Sequence, residues 1–78
     1  MRNIDIRSRN AVDSSGVLAI TIAGETEGNI AKFRRFLRHL GIKIEIESDQ
    51  SVLGVAMRLQ LDPENVSRQL SEIMNYEA

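Results

Sequence analysis

The sequence has no cysteine and no tryptophan, one histidine, one proline, one tyrosine and two phenylalanines. Without cysteine there is no disulfide, no thiolate metal site and no thiol redox chemistry, which fits a reducing compartment. The one histidine, His39, has no second histidine or cysteine to share a metal with, so no metal is expected. So few aromatic rings, with both phenylalanines on one predicted helix, argue against stacking nucleic-acid bases on a sheet. A formal net charge of −1 creates no global field that would draw in nucleic acid or an anionic membrane. No apolar run approaches the roughly 20 residues of a membrane span. The N-terminal stretch carries arginine without a continuous apolar core and does not read as a secretory signal. No nucleophile–base–acid set or phosphate loop stands out. The expectation is a soluble cytoplasmic protein that is not an enzyme and uses no cofactor.

What is present is a pattern of short amphipathic elements. A chain of 78 residues makes a single domain, residues 1–78, and buries a smaller share of its surface than a larger one does. Self-association would compensate where no disulfide can. From Asn3 to Arg9, Ile4 and Ile6 alternate with Asp5, Arg7 and Arg9, predicting a half-buried strand. The polar run Asn10 to Gly16 predicts a loop. Residues 1–16 are thus an edge strand and loop that could be mobile. Val17 to Ala23 predicts a second strand, with Leu18, Ile20 and Ile22 on one face and the small residues Val17, Ala19 and Thr21 on the other. That second face is weakly polar enough to be covered, for instance by a second subunit.

A helix follows, from Glu27 or Gly28 to Leu40, with Ile30, Phe33, Phe36, Leu37 and Leu40 at helical spacing and Gly41 as its stop. Ile42 to Glu47 alternates again, with Ile42, Ile44 and Ile46 inward. Ser48-Asp49-Gln50 reads as a turn, and Val52 to Leu61 as the return strand of a hairpin. Asp62-Pro63-Glu64 has the chemistry of a helix start, with Asp62 as N-cap. Val66, Leu70, Ile73 and Met74 are its expected buried stripe. The order ββαββα predicts an α+β two-layer sandwich: a four-stranded antiparallel sheet with two helices on one face, ferredoxin-like and possible as a permuted form. The open sheet face would carry Asp5, Arg7, Lys43, Glu45, Glu47 and Arg58, with opposite charges pairing between neighbouring strands.

The run IAGETEGNIAKFRRFLRHLGIKI resembles the first half of an ACT domain, a small ligand-binding module of amino-acid-responsive enzymes. Gly28 falls at that family's turn glycine and Leu40-Gly41-Ile42 at its helix exit. VLGVAMRLQLDPENVSRQLSEIM resembles the family's third strand and second helix. Glu27 stands where the family has proline, and the family's order βαββαβ calls for a strand after the second helix. The strand around Ile4 and Ile6 could fill that place as a permuted edge; a partner chain could equally supply it. The resemblance implies a self-associating regulatory module that binds a small amino-acid effector beside the turn Gly24 to Asn29, with Thr26, Gly28 and Asn29 as contacts.

Physically, a turn entering a helix offers backbone N–H groups and the positive end of the dipole, which suit a carboxylate. Glu25 and Glu27 compete with such a ligand. The alternative is that Gly24 and Gly28 only shape the turn while Thr26 or Glu27 caps the helix. A second candidate surface is the first helix itself. From Asn29 to Leu40 it has four Lys or Arg and no acid, whereas Asp62 to Ala78 has four acids and one Arg. Lys32, Arg35 and Arg38 are therefore candidate contacts for an acidic protein partner, including a second copy. A solvated face whose arginine stems cover apolar surface is the plainer reading, and nucleic acid the weaker one.

Overall fold

The computed structural model describes residues 3–8, 12–50 and 54–77. It is an α+β sandwich of four strands and two helices in the order β1 (Ile6–Ser8), β2 (Val17–Ile22), α1 (Glu27–His39), β3 (Lys43–Gln50), β4 (Gly54–Gln60) and α2 (Val66–Met74). The strands form one sheet in the spatial order β1-β2-β4-β3, with every neighbouring pair antiparallel.

Period-two alternation decides which face is buried. Leu18, Ile20 and Ile22 of β2 lie opposite Leu59, Met57 and Val55 of β4, and all six are buried. Phe33 and Leu37 of α1 and Ile73 of α2 close over them, joined by Ile4, Ile42 and Leu61. The central strands meet closely at one end. Gly54 has φ +117°, and a Cβ there would stand 2.7 Å from the Ile22 carbonyl oxygen, so only glycine lets the start of β4 lie against the end of β2.

Helix α1 is bounded on both sides by its own sequence. Thr26 is extended, and its hydroxyl accepts the Asn29 N–H at 3.1 Å. A cap of this kind contributes about 1 kcal/mol. At the other end Gly41 takes φ +78°. Its N–H donates to the Arg38 carbonyl at 2.9 Å and the Ile42 N–H to the Leu37 carbonyl at 3.0 Å, the paired bonds of a Schellman ending. Glu27 in the first turn and Arg38 and His39 in the last complement the helix dipole.

One buried polar side chain ties the second helix to the first. Gln69, 5 % exposed, donates from Nε2 to the Leu40 carbonyl at 3.1 Å and accepts the Asp62 N–H at its Oε1 at 2.8 Å. Beyond α2, the Tyr76 ring lies 5.1 Å from Phe33 and 4.8 Å from Phe36. The next residue, Glu77, forms an isolated antiparallel bridge to Asn3.

Several sequence expectations need correction. Ser48-Asp49-Gln50 is not a turn: β3 runs on to Gln50, with a bulge between Ile46 and Ser48 that ends the clean alternation. The start of the return strand predicted at Val52 and Leu53 lies outside the described residues, as does Arg9 of the first predicted strand. Asp62 does not cap α2, which begins at Val66 behind Asn65. Instead the Asp62 carboxylate accepts the Glu64 N–H at 3.0 Å and the Asn65 side-chain amide at 3.0 Å, closing a separate turn. In the α2 stripe, Met74 is 37 % exposed and Gln69 takes the buried place. Ile46 points to the core side but is 36 % exposed, because β3 is the outer strand. The expected cross-strand ion pair does form, between Glu47 and Arg58 at 3.1 Å.

Replacing Gln69 with Leu leaves the part-buried Leu40 carbonyl and Asp62 N–H without this partner. The expected loss is roughly 1–3 kcal/mol, read as a midpoint shift in urea unfolding. An unchanged midpoint would show that the bridge carries no stability.

Candidate functional site

The turn from Gly24 to Asn29 is occupied by its own side chains. Besides the Thr26 cap, the Glu25 carboxylate accepts the Thr26 N–H at 3.1 Å and the Asn29 side-chain amide at 2.8 Å, both at Oε1. Of the three residues the resemblance implied as ligand contacts, Thr26 and Asn29 are thus engaged with each other and with Glu25. Gly28 sits inside the first turn of α1, without positive φ and with open space where a Cβ would be. The positive φ of the turn belongs to Gly24.

Lys32, Arg35 and Arg38 are all exposed on α1, and none makes an ion pair among the described residues. Arg34 behaves differently. It is half-buried and lines a cleft of about 320 Å³ between α1 and the outer side of the sheet, together with Glu27, Ile30, Ala31, Ile46 and Val55. Its Nε is shielded from solvent and finds no acceptor among the described residues.

A larger groove, about 560 Å³, lies on the sheet face that no helix covers. Its walls carry Lys43, Glu45, Arg58 and Gln60 from β3 and β4, and Asp13 and Ser15 from the loop before β2. The alternation of β3 and β4 already placed Lys43, Glu45 and Arg58 on this face. What the sequence did not signal is how the loop joins them. Asp13 Oδ1 accepts the Ser15 N–H, the Ser15 hydroxyl and the Val17 N–H at 2.9, 2.7 and 2.9 Å, which folds the loop into a tight turn. Gln60 then donates its amide to the Ser15 and Leu61 carbonyls at 2.8 and 3.1 Å, fixing that turn beside the strands. The groove mixes two cations with two carboxylates, within the volume range of small-ligand sites.

Compared with protein-family models, with curated proteins and with solved structures, the chain matches none of them.

The groove and its surroundings hold no metal-binding geometry: among the described residues no three His, Asp or Glu side chains stand together as ligands. No helix among them is long and apolar enough to cross a membrane. The outer side of β3 is the other exposed feature. Eight residues long, β3 has β4 on one side and, among the described residues, no strand on the other, and Ile46 opens onto the α1 cleft.

The carboxylates of Asp13 and Asp62 are held below their ordinary value of 3.8. For Asp13 the main cause is the Ser15 hydroxyl bond, followed by the Val17 N–H. For Asp62 it is the Glu64 N–H, followed by the Asn65 amide. A carboxyl group whose folded pKa lies below its unfolded value stabilises the fold above the unfolded pKa, and that contribution is lost as pH falls through the folded pKa. The unfolding temperature should therefore fall as the pH drops through and below the ordinary carboxylate value of 3.8. Asp13→Ala/Asp62→Ala should lower it at neutral pH and flatten this acid limb; an acid limb as steep as the parent's would refute the assignment.

Proposed function

We propose that this protein is a non-enzymatic regulatory or interaction module that self-associates through the β3 side of its sheet. The observation that carries this reading is the long outer strand, whose outer edge pairs with no strand among the described residues, next to a cleft floored by Ile30, Ala31 and the exposed Ile46. An open edge is a template for pairing with another chain, and the cleft places apolar surface directly beside it. The other edge is shorter, with three residues in β1, and the Asn3–Glu77 bridge continues on its flank.

The connectivity supports a ferredoxin-like architecture in permuted form. Read from β2, the chain gives βαββα, and β1 supplies the remaining strand by pairing antiparallel with β2. This accords with the ACT-like resemblance in overall plan. The exposed Lys32, Arg35 and Arg38 remain available to an acidic protein partner, a role we rank below self-association because none of the three lines the α1 cleft, where the exposed apolar surface lies.

Sedimentation velocity over a broad concentration range tests the main reading. The wild-type chain should form a dimer, and Ile46→Arg should weaken it at least tenfold while keeping the circular dichroism spectrum. A wild-type chain that stays monomeric throughout, or an Ile46→Arg chain that dimerises unchanged, would sink the proposal.

An amino-acid effector is the second reading, favoured by the mixed-charge groove. There Lys43 and Arg58 offer donors to a carboxylate, and Glu45 an acceptor for an ammonium group. The turn Gly24 to Asn29 offers less, since Thr26 and Glu25 already hold its donors. Titration calorimetry with the common amino acids should give heat with at least one, reduced at least tenfold in affinity by Arg58→Ala. Absence of heat with all of them, on folded protein, removes this reading.

A further inference from the structure

The charge pattern of β3 selects one partner and one alignment. We infer that the occupant of the β3 edge is a second copy of this chain, paired antiparallel about a twofold axis at Ile44, so that Lys43 of each copy faces Glu45 of the other. This inference rests on the self-association reading above and specifies its geometry.

Three observations carry it. First, the bulge between Ile46 and Ser48 breaks the regular strand, so flat pairing is confined to the stretch that ends at Ile46. Second, Lys43 and Glu45 lie on the open face, opposite Gln60 and Arg58, whereas Ile44 and Ile46 lie on the core face, opposite Leu59 and Met57. Directly opposed residues of an antiparallel pair point to the same face, so a partner strand must keep charges against charges and isoleucines against isoleucines. Third, Glu47 is already paired with Arg58, while Lys43 makes no ion pair among the described residues.

The possible alignments then separate. Centring the axis on Lys43 puts two lysines face to face. Centring it on Glu45 puts two glutamates face to face and runs Lys43 into Glu47, the residue at the bulge. Centring it on Ile46 sets Glu45 against Glu47. Axes between residues place charged side chains on the isoleucine face. With the axis at Ile44, two Lys43–Glu45 pairs form, Ile44 meets its own copy, and the exposed Ile46 of each chain lies opposite Ile42, the residue just before β3 of the other. Like charges directly opposite destabilise a sheet and opposite charges stabilise it, so the pattern is self-complementary in this alignment alone.

The test is a charge swap. Lys43→Glu alone faces Glu45 of its copy with a second acid, and Glu45→Lys alone faces Lys43 with a second base; each should weaken the dimer at least tenfold. Mixing the two variants restores both pairs in a heterodimer, and so does the double variant Lys43→Glu/Glu45→Lys as a homodimer; both should return to wild-type affinity by sedimentation. Ile44→Cys supplies the chain's single thiol, which should form an intermolecular disulfide under mild oxidation. Should a single variant fail to fold, the double variant and the Ile44→Cys cross-link still decide the matter. Unweakened single variants, an unrestored mixture, or no cross-link in a chain that nonetheless dimerises would overturn this alignment and leave self-association standing. A monomeric wild-type chain would overturn both.

Discussion

A sheet covered on one face only sets every other feature of this protein. Two helices pack on the side of β2 and β4 that carries Leu18, Ile20, Ile22, Met57 and Leu59. Each outer strand is then buried less well than the two in the middle. Ile42, just before β3, is buried, Ile44 is half-buried and Ile46 is exposed. The polar face has no second layer, so its charges must be solvated, paired with each other or met by something else. Glu47 and Arg58 take the second course. Exposed pairs of this kind contribute little to stability, typically below about 1 kcal/mol, so their main effect is to settle which side chains remain available.

The covered side is held together by a few contacts with high consequence. Gln69 is the clearest, because it serves two backbone groups at once: the last carbonyl beyond α1 and the N–H that opens the turn before α2. A buried polar side chain is tolerated only when its donors and acceptors are used. Here both ends of the amide are used to fix one helix against the other. Tyr76 adds an aromatic clamp onto Phe33 and Phe36 from just beyond α2, and Asn3 meets Glu77 immediately after it. The terminal segments thus finish the same core that the central strands begin.

Much of this plan was legible in the sequence, and the exceptions share a physical cause. The strand faces, the span of α1 and its stop at Gly41 follow from local periodicity and local backbone chemistry, so they could be read one segment at a time, while the choice of Thr26 over Glu27 as its cap came only from the structure. Asp62 was misread because an aspartate before Pro-Glu satisfies the rules for a cap and for a turn equally well; only the position of Asn65 and Val66 relative to the core decides between them. Gln69 was invisible because its two partners are distant in sequence, and a glutamine on a helix ordinarily faces water. The bulge after Ile46 has no residue signature of its own. For the groove, Lys43, Glu45 and Arg58 were placed on the correct face by alternation, whereas Asp13 and Ser15 arrive there through the long-range bond from Gln60 to Ser15. The turn Gly24 to Asn29 drew notice for its glycines and its helix start, features that the folded chain uses internally.

The outer strand raises a question of design. Exposed edges invite indiscriminate pairing, and proteins blunt them with charge and with bulges. Strand β3 has both devices, yet neither closes it completely. The charges alternate with isoleucines, so only one face repels, and the bulge leaves the first half of the strand straight. Devices that reject most partners while permitting one make an interface specific. For a domain of 78 residues, with a limited core, such an interface also adds stability by mass action, since a partner that binds only the folded chain shifts the folding equilibrium toward it. Specificity and stability would then come from the same few residues, Lys43 to Ile46. This accounts for why the most exposed apolar side chain of the sheet, Ile46, sits next to its most regular row of charges.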